Sequence, residues 1–173
     1  MIDLILMIIL MAFSIDILLA YKYKIMYKSR HKFLLAFLHA SILIVNLFFI
    51  FYLGFIYQNK ISIIINIVGV IFVLLGMLLT VYTLVFLKEI AILPKNKLIT
   101  GGPFKYSRHP IYLGYMLAVI GLSFFFGSLY LLIYSIALAF ALNYLAKQEE
   151  KELVNRFGKV YLDYIKKVKR FLN

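Results

Sequence analysis

The sequence predicts an all-α integral membrane protein with about five transmembrane helices and a cytoplasmic amphipathic C-terminal helix. Of its 173 residues, 65% are hydrophobic, which is more apolar surface than a soluble domain of this size can bury. Apolar stretches of spanning length alternate with short polar segments. Those segments hold most of the 19 Lys and Arg residues, against 7 Asp and Glu in the whole chain, as is typical of cytoplasmic loops.

The N-terminal part of the chain predicts three spans. Met1–Tyr21 lacks a basic start and a small-residue cleavage site, so it is read as an uncleaved helix. The basic segment Tyr21–Lys32 predicts a cytoplasmic loop. Phe33–Tyr57 is the second span, Gln58–Lys60 is a short outer turn, and Ile61–Leu87 is the third span.

Small and polar residues of the third span suggest how it packs. Gly69 and Gly76 are seven residues apart and therefore share one helix face, which permits close packing against another helix. Asn66, Thr80 and Thr83 are expected to form hydrogen bonds between helices.

The last apolar stretch, Ile111–Ala146, follows a second basic loop, Lys88–Pro110. As a single helix it would rise roughly 54 Å, against a hydrocarbon core of about 30 Å. Gly127-Ser128 is the natural break, so a helical hairpin of Ile111–Phe126 and Ser128–Ala146 is expected. The return helix is expected to pack on small residues of the first hairpin helix, namely Gly114, Ala118 and Gly121.

The basic C-terminal tail, Lys147–Asn173, completes the topology. With the hairpin, both basic loops and the tail face the cytoplasm and the N-terminus lies outside, as in a multi-pass protein of a prokaryotic plasma membrane. Apolar residues recur at near-helical spacing along the tail, and Gly158 marks a bend. Four basic residues are expected to contact anionic headgroups: Lys166, Lys167, Lys169 and Arg170.

Composition excludes several classes of chemistry. The chain has no cysteine, so it has no disulfide, thiol nucleophile or thiolate metal site, and no motif spacing indicates any other metal site. It lacks the spacing of a phosphate loop or a dinucleotide-binding motif. The net charge of +12 is interpreted as attraction to anionic membrane lipid, with no nucleic-acid partner.

The polar segment Gly101–Tyr112 is the most motif-like part of the chain. Gly102 permits close approach of the backbone, and Pro110 suits the first turn of a helix. Arg108 and His109 would therefore precede a helix N-terminus, which can receive a carboxylate or a phosphate.

The hairpin brings that segment close to three acids, Glu149, Glu150 and Glu152. Two interpretations stay open, a plain ion-pair cluster that holds the tail and a pocket for a charged ligand. A pocket at this level would also admit a lipid from the side, which suits group transfer between a soluble donor and a membrane substrate.

Two blocks resemble the isoprenylcysteine carboxyl methyltransferase family and its phospholipid methyltransferase relatives, over roughly Leu98–Phe171. The first block is Gly102–Gly114, which contains Arg-His-Pro-Ile-Tyr. The second block comprises Glu149-Glu150, Leu153, Phe157-Gly158, Tyr161, Tyr164, Val168 and Arg170-Phe171.

The resemblance implies a methyltransferase that uses S-adenosyl-L-methionine on a lipid-like acceptor. The length of the chain suits one membrane domain, 1–173, in which 1–97 supplies spans and loops. The resemblance implies that 98–173 is the cofactor-binding and catalytic region. The cofactor contacts carried over are Leu98, Ile99, Phe104, His109, Pro110, Tyr112 and Glu149.

Three further residues are carried as catalytic candidates: Arg108, Lys147 and Glu150. Lys147 stands near the position where prenylcysteine-specific members have an arginine that grips the substrate carboxylate. Phe104 stands where the family often has tyrosine. The acceptor is expected to be a carboxylate or an amine of a lipid-like molecule, or else a small apolar molecule. An amine would need a base such as Glu150 or Glu152.

Two other functions remain as alternatives. Sterol reductases resemble this C-terminal architecture but use NADPH, and a non-enzymatic scaffold would bind anionic lipid through its basic loops. A solute transporter fits less well, because no pair of broken helices repeats along the chain.

Overall fold

The computed structural model describes residues 48, 50–90 and 98–172, and it is all-helical over them. A helical segment, 50–56, precedes four α-helices and a short 3-10 turn. The helices are α1 (Ile63–Ile90), α2 (Pro110–Phe126), α3 (Leu129–Phe157) and α4 (Lys159–Lys167), and the turn is Gly102–Lys105. The predicted first span, the first basic loop and most of the second span lie outside the described residues.

Two of these helices are long and apolar enough to cross a membrane, over Ile63–Leu87 and Leu129–Phe157. Helix α1 corresponds to the predicted third span. Helix α2 is apolar but shorter, and its 17 residues rise about 26 Å. The chain therefore has the helices of a membrane protein.

The predicted break between the hairpin helices is confirmed. Gly127 adopts a left-handed conformation (φ 61°) and caps the end of α2, a backbone geometry that glycine adopts without steric cost. The Ser128 hydroxyl then accepts a hydrogen bond from the Leu131 amide and begins α3. The chain reverses between these two caps.

The return helix is longer than predicted. Helix α3 does not end at Ala146 but continues to Phe157, so the first turns of the predicted tail belong to it. Good helix formers such as Lys147 and Glu150 continue the helix without a glycine or proline. Gly158, at φ 54°, ends it, and the predicted bend at this glycine is confirmed.

Helices α1 and α2 meet along four glycines, Gly69, Gly76, Gly114 and Gly121, which we call the glycine seam. A Cβ atom on Gly76 would lie 2.4 Å from the Gly114 carbonyl oxygen, and one on Gly121 would lie 2.7 Å from the Gly69 carbonyl oxygen. Only residues without side chains permit this backbone approach. The close packing predicted for Gly69 and Gly76 is therefore confirmed.

The partner expected for the small residues of α2 was wrong. Gly114, Ala118 and Gly121 pack on α1 and not on the return helix α3, because α1 carries matching glycines at the same seven-residue spacing. The Asn66 side chain donates to the Phe125 carbonyl oxygen across the seam (2.6 Å), as predicted.

The two threonines of α1 behave differently from that prediction. Thr80 and Thr83 donate to carbonyl groups one turn earlier in their own helix. Their hydroxyls therefore donate within α1, and no hydrogen bond joins them to another helix among the described residues.

Candidate functional site

The loop before α2 is shaped by its contact with α1. Gly102 has φ 55°, and a Cβ atom there would lie 2.6 Å from the Phe86 ring. Phe86 also packs against Phe104, with ring centroids 6.5 Å apart. The Tyr164 hydroxyl donates to the Phe104 carbonyl oxygen at 2.6 Å, so α1 and α4 hold the loop from two sides.

The segment after α4 binds directly to this loop. The Arg108 amide donates to the Lys169 carbonyl oxygen (3.1 Å), and the His109 amide donates to the Arg170 carbonyl oxygen (3.2 Å). The Ser107 hydroxyl donates to the same Arg170 oxygen (2.9 Å) and accepts from the His109 amide. The C-terminal segment thus uses the last two backbone donors before α2.

Glu150 is the centre of a group of charged residues that we call the ion cluster: Arg108, His109, Glu149, Glu150 and Arg170. Arg170 donates to both Glu150 oxygens at 2.8 Å. Arg108 Nη1 lies 3.4 Å from Glu150 Oε2, and His109 Nε2 lies 3.3 Å from Glu150 Oε1. Glu150 is buried, so its charge depends on these partners.

Glu149 holds the other side of the histidine. Its carboxylate lies 3.3 Å from His109 Nδ1 and accepts a hydrogen bond from the Tyr112 hydroxyl. The Tyr112 ring stacks on the His109 ring, with centroids 5.4 Å apart. The Glu149 side chain stays 40% exposed, so it can also meet a ligand. Within the described residues, no group of three or more His, Asp or Glu side chains could hold a metal ion.

A cavity of about 280 Å³ adjoins the ion cluster. The loop and the ends of α3 and α4 form its walls. Its lining is mostly apolar and aromatic, with two arginines: Leu98, Ile99, Phe104, Arg108, Leu153, Arg156, Phe157, Tyr161 and Tyr164. Ligand cavities in proteins start at about 300 Å³ and have this mixture of apolar walls and a few polar groups.

Several buried polar atoms at this site form no hydrogen bond within the described part of the chain: Arg108 Nε, Arg108 Nη1, His109 Nε2 and the Tyr161 hydroxyl. Burial raises the pKa of Tyr161 to about 12, with a further increase from the nearby Glu150 charge. Its phenol is therefore neutral at physiological pH. The hydrogen bonds from Arg170 to Glu150 raise the pKa of Arg170, which keeps that side chain charged.

The structure distributes the predicted site residues over two neighbouring places. Leu98, Ile99, Phe104 and Arg108 line the cavity. His109, Tyr112, Glu149 and Glu150 lie in or against the ion cluster. Pro110 is buried at the start of α2. Lys147 is exposed on α3 and does not line the cavity.

Sequence reasoning missed the roles of several residues. Arg170 was expected to contact lipid headgroups, but its guanidinium instead points inward to Glu150 and also donates to Asn143 (2.8 Å). The basic run around it hid this difference, because four neighbouring cations look alike in the sequence. Ser107 and Tyr161 gave no chemical signal beyond their places in the two family-like blocks.

Taken together, the chain is a helical membrane protein with a polar site where the loop before α2 meets the ends of its C-terminal helices. A family model described as phospholipid methyltransferase matches residues 57–160, more than half of the chain. The chain therefore belongs to the phospholipid methyltransferase family, which implies a membrane methyltransferase. Comparisons with curated proteins and with solved structures gave no match.

The family match confirms the resemblance to phospholipid methyltransferases and changes its extent. The match begins at residue 57, well before the expected start at Leu98, so helix α1 falls inside the family region. It ends at residue 160, before the segment that carries Arg170.

Proposed function

We propose that this protein transfers a methyl group from S-adenosyl-L-methionine to a lipid-like acceptor at the cytoplasmic membrane interface. Family membership supports methyl transfer, and members of such families generally use this cofactor. The observation that carries the proposal is the cavity beside the ion cluster, because it joins an apolar and aromatic wall to buried donors that form no hydrogen bond within the described residues. We also propose about five spans, with the C-terminus in the cytoplasm.

The residues of this site fit the cofactor. S-adenosyl-L-methionine carries an aromatic base, a sugar, an amine and a carboxylate, and when bound it supplies a methyl group on a sulfonium that becomes a thioether. Leu98, Ile99 and Phe104 supply apolar and aromatic surface for the base. The exposed part of the Glu149 carboxylate is an acceptor for an amine or a ribose hydroxyl.

His109, Pro110 and Tyr112 give this arrangement its rigidity. His109 is held between two carboxylates, Pro110 fixes the backbone at the start of α2, and Tyr112 stacks on the histidine ring. A site of this kind acts mainly by alignment of the two reactants and by exclusion of water.

The acceptor is the less defined partner. Methyl transfer to a carboxylate needs no base, whereas an amine must lose a proton. Both Glu150 oxygens already accept hydrogen bonds from Arg170, so removal of a proton by Glu150 would require that pair to weaken. This favours an acceptor that arrives deprotonated, with Arg108 and Lys147 as the cations that attract it.

Methyl transfer can be tested directly with the purified full-length chain in lipid vesicles. Labelled S-adenosyl-L-methionine is supplied with one acceptor at a time: a prenylcysteine, phosphatidylethanolamine or a fatty acid. We expect label in the lipid phase with at least one of them. Absence of label with all three, from folded protein that binds the cofactor, would contradict a lipid-like acceptor of these kinds.

Two lysine variants of α3 then distinguish a carboxylate acceptor from an amine acceptor. Lys147→Ala should slow methylation of a carboxylate acceptor and leave an amine acceptor unaffected, because only the former is attracted by its charge. Lys151→Ala is the matched control, since Lys151 is also exposed on α3.

A further inference from the structure

We propose that Arg108 and Tyr161 form an oxyanion-binding subsite inside the cavity, which receives a carboxylate or a phosphate. Two sources carry such a group, the methionine part of the cofactor and the headgroup of a lipid acceptor. The first source rests on the proposed function, whereas the second does not require the cofactor.

Burial without a hydrogen bond is the first reason for this assignment. The Arg108 side chain is only 9% exposed and Tyr161 only 1%. Arg108 Nε, Arg108 Nη1 and the Tyr161 hydroxyl nevertheless form no hydrogen bond within the described residues. Buried donors of this kind are rare in folded proteins because each one loses its hydrogen bonds to water. Both side chains line the same cavity, so one ligand can reach both.

The local charge balance is the second reason. Arg170 donates hydrogen bonds to both oxygens of Glu150. Arg108 Nη1 lies farther from the same carboxylate, at 3.4 Å from Oε2. One buried carboxylate thus faces two guanidinium groups. Glu149 does not change this balance, because it is directed to His109 and Tyr112. An additional anion beside Arg108 would be stabilised.

The third reason is that two backbone donors close to the cavity are already occupied. A helix N-terminus can bind an anion through its free backbone donors. Here the amides of Arg108 and His109, just before α2, donate to the carbonyl groups of Lys169 and Arg170. These two amides are therefore not free for an anion, whereas the Arg108 and Tyr161 side chains are directed to the cavity.

The rest of the cavity defines the ligand further. Leu98, Ile99 and Phe104 form an apolar and aromatic wall, and Arg156 adds a second cation to the lining. The ligand should therefore be amphipathic, with an oxyanion at one end and an apolar or aromatic body. Adenosine derivatives and phospholipids both have this form.

The subsite can be tested with two pairs of probes that differ by the oxyanion. The first pair is S-adenosylhomocysteine and its decarboxylated analogue. The second pair is dihexanoyl phosphatidic acid and dihexanoylglycerol. Binding is measured by calorimetry on detergent-purified full-length protein, for the wild type, Tyr161→Phe and Arg108→Lys.

Tyr161→Phe is the sharper variant because it removes one hydroxyl that forms no hydrogen bond within the described residues, so folding should not suffer. We expect it to weaken binding of the oxyanion-bearing member of one pair about tenfold and to leave the other member unchanged. Loss in the first pair assigns the cofactor carboxylate, and loss in the second pair assigns the lipid phosphate. Arg108→Lys should act in the same direction, since lysine keeps the charge but not the fork of donors.

Tyr164→Phe is the matched control. Tyr164 lines the same cavity from the same helix, but its hydroxyl is already bound to Phe104, so the ratio of affinities within each pair should not change. The proposal is overturned if Tyr161→Phe and Arg108→Lys keep the wild-type ratios in both pairs, or if they weaken both members of a pair equally.

Failure of the proposed function would look different from failure of the subsite. If wild-type protein does not bind S-adenosylhomocysteine, the proposed cofactor is wrong. The lipid pair would then still show whether Arg108 and Tyr161 bind an oxyanion. Wild-type protein that binds none of the four probes would overturn both proposals.

Discussion

The glycine seam and the ion cluster hold different parts of the chain together by opposite means. In the seam, α1 and α2 approach so closely that a Cβ atom on Gly76 would lie 2.4 Å from a carbonyl oxygen. In the ion cluster, Glu150 joins α3 to the C-terminal segment through Arg170. The seam depends on the absence of side chains, whereas the cluster depends on the presence of particular charges.

This difference explains where chemistry can occur. The seam leaves no room for a ligand and contains no titratable group. The ion cluster has buried donors that form no hydrogen bond within the described residues, and it lies beside a cavity. Stability and function are therefore expected to respond to different substitutions, and the variants below test that separation.

The largest effect should come from Glu150→Gln. Loss of this buried charge leaves Arg108 and Arg170 without their common partner, which should lower the free energy of unfolding by about 3–5 kcal/mol. Unfolding by sodium dodecyl sulfate in mixed micelles measures this loss. Glu152→Gln, the same change at an exposed position of α3, is the control. Equal losses for the two variants would show that the ion cluster does not hold the C-terminal segment.

A smaller effect is expected from Gly76→Val in the seam. The added side chain forces α1 and α2 apart, and overpacking of this kind costs about 1–3 kcal/mol. Met77→Val changes the neighbouring exposed residue and should cost little. The same unfolding measurement applies to both. A stable Gly76→Val protein would mean that the helices do not pack along these glycines.

The smallest effect is expected from Asn66→Leu. This change removes one side-chain hydrogen bond between α1 and α2, and such bonds contribute about 0.6 kcal/mol on average in membrane proteins. Cofactor affinity should stay at its wild-type value, because Asn66 lies far along the seam from the loop that carries His109. A large loss of affinity would contradict the separation of the two regions.

The sequence predicted the seam better than the ion cluster, and the reason is physical. Gly69 and Gly76 share a face by helical spacing alone, and Gly127 ends a helix by its own backbone preference. The error about Gly114 and Gly121 concerned only which helix they meet. Most of the helices and turns in the described residues could therefore be predicted from local backbone geometry.

The ion cluster required contacts between three distant segments. Topology and family resemblance brought Arg108 and His109 close to the acids of α3. They did not indicate that Arg170 would turn inward, because Lys166, Lys167 and Lys169 offer the same charge to any partner. Which cation reaches Glu150 is decided by the path of the chain after α4, and residue-level spacing does not contain that information.

The most direct test of the methyltransferase account is equilibrium binding of S-adenosylmethionine and S-adenosylhomocysteine to the detergent-purified chain, with NADPH as the comparison ligand. The account predicts saturable binding of both methionine derivatives, weakened about tenfold or more by Glu149→Ala and by His109→Ala, and no binding of NADPH. Binding of NADPH alone would contradict it in favour of a lipid reductase. Binding of neither ligand class by folded protein would favour a scaffold for anionic lipid.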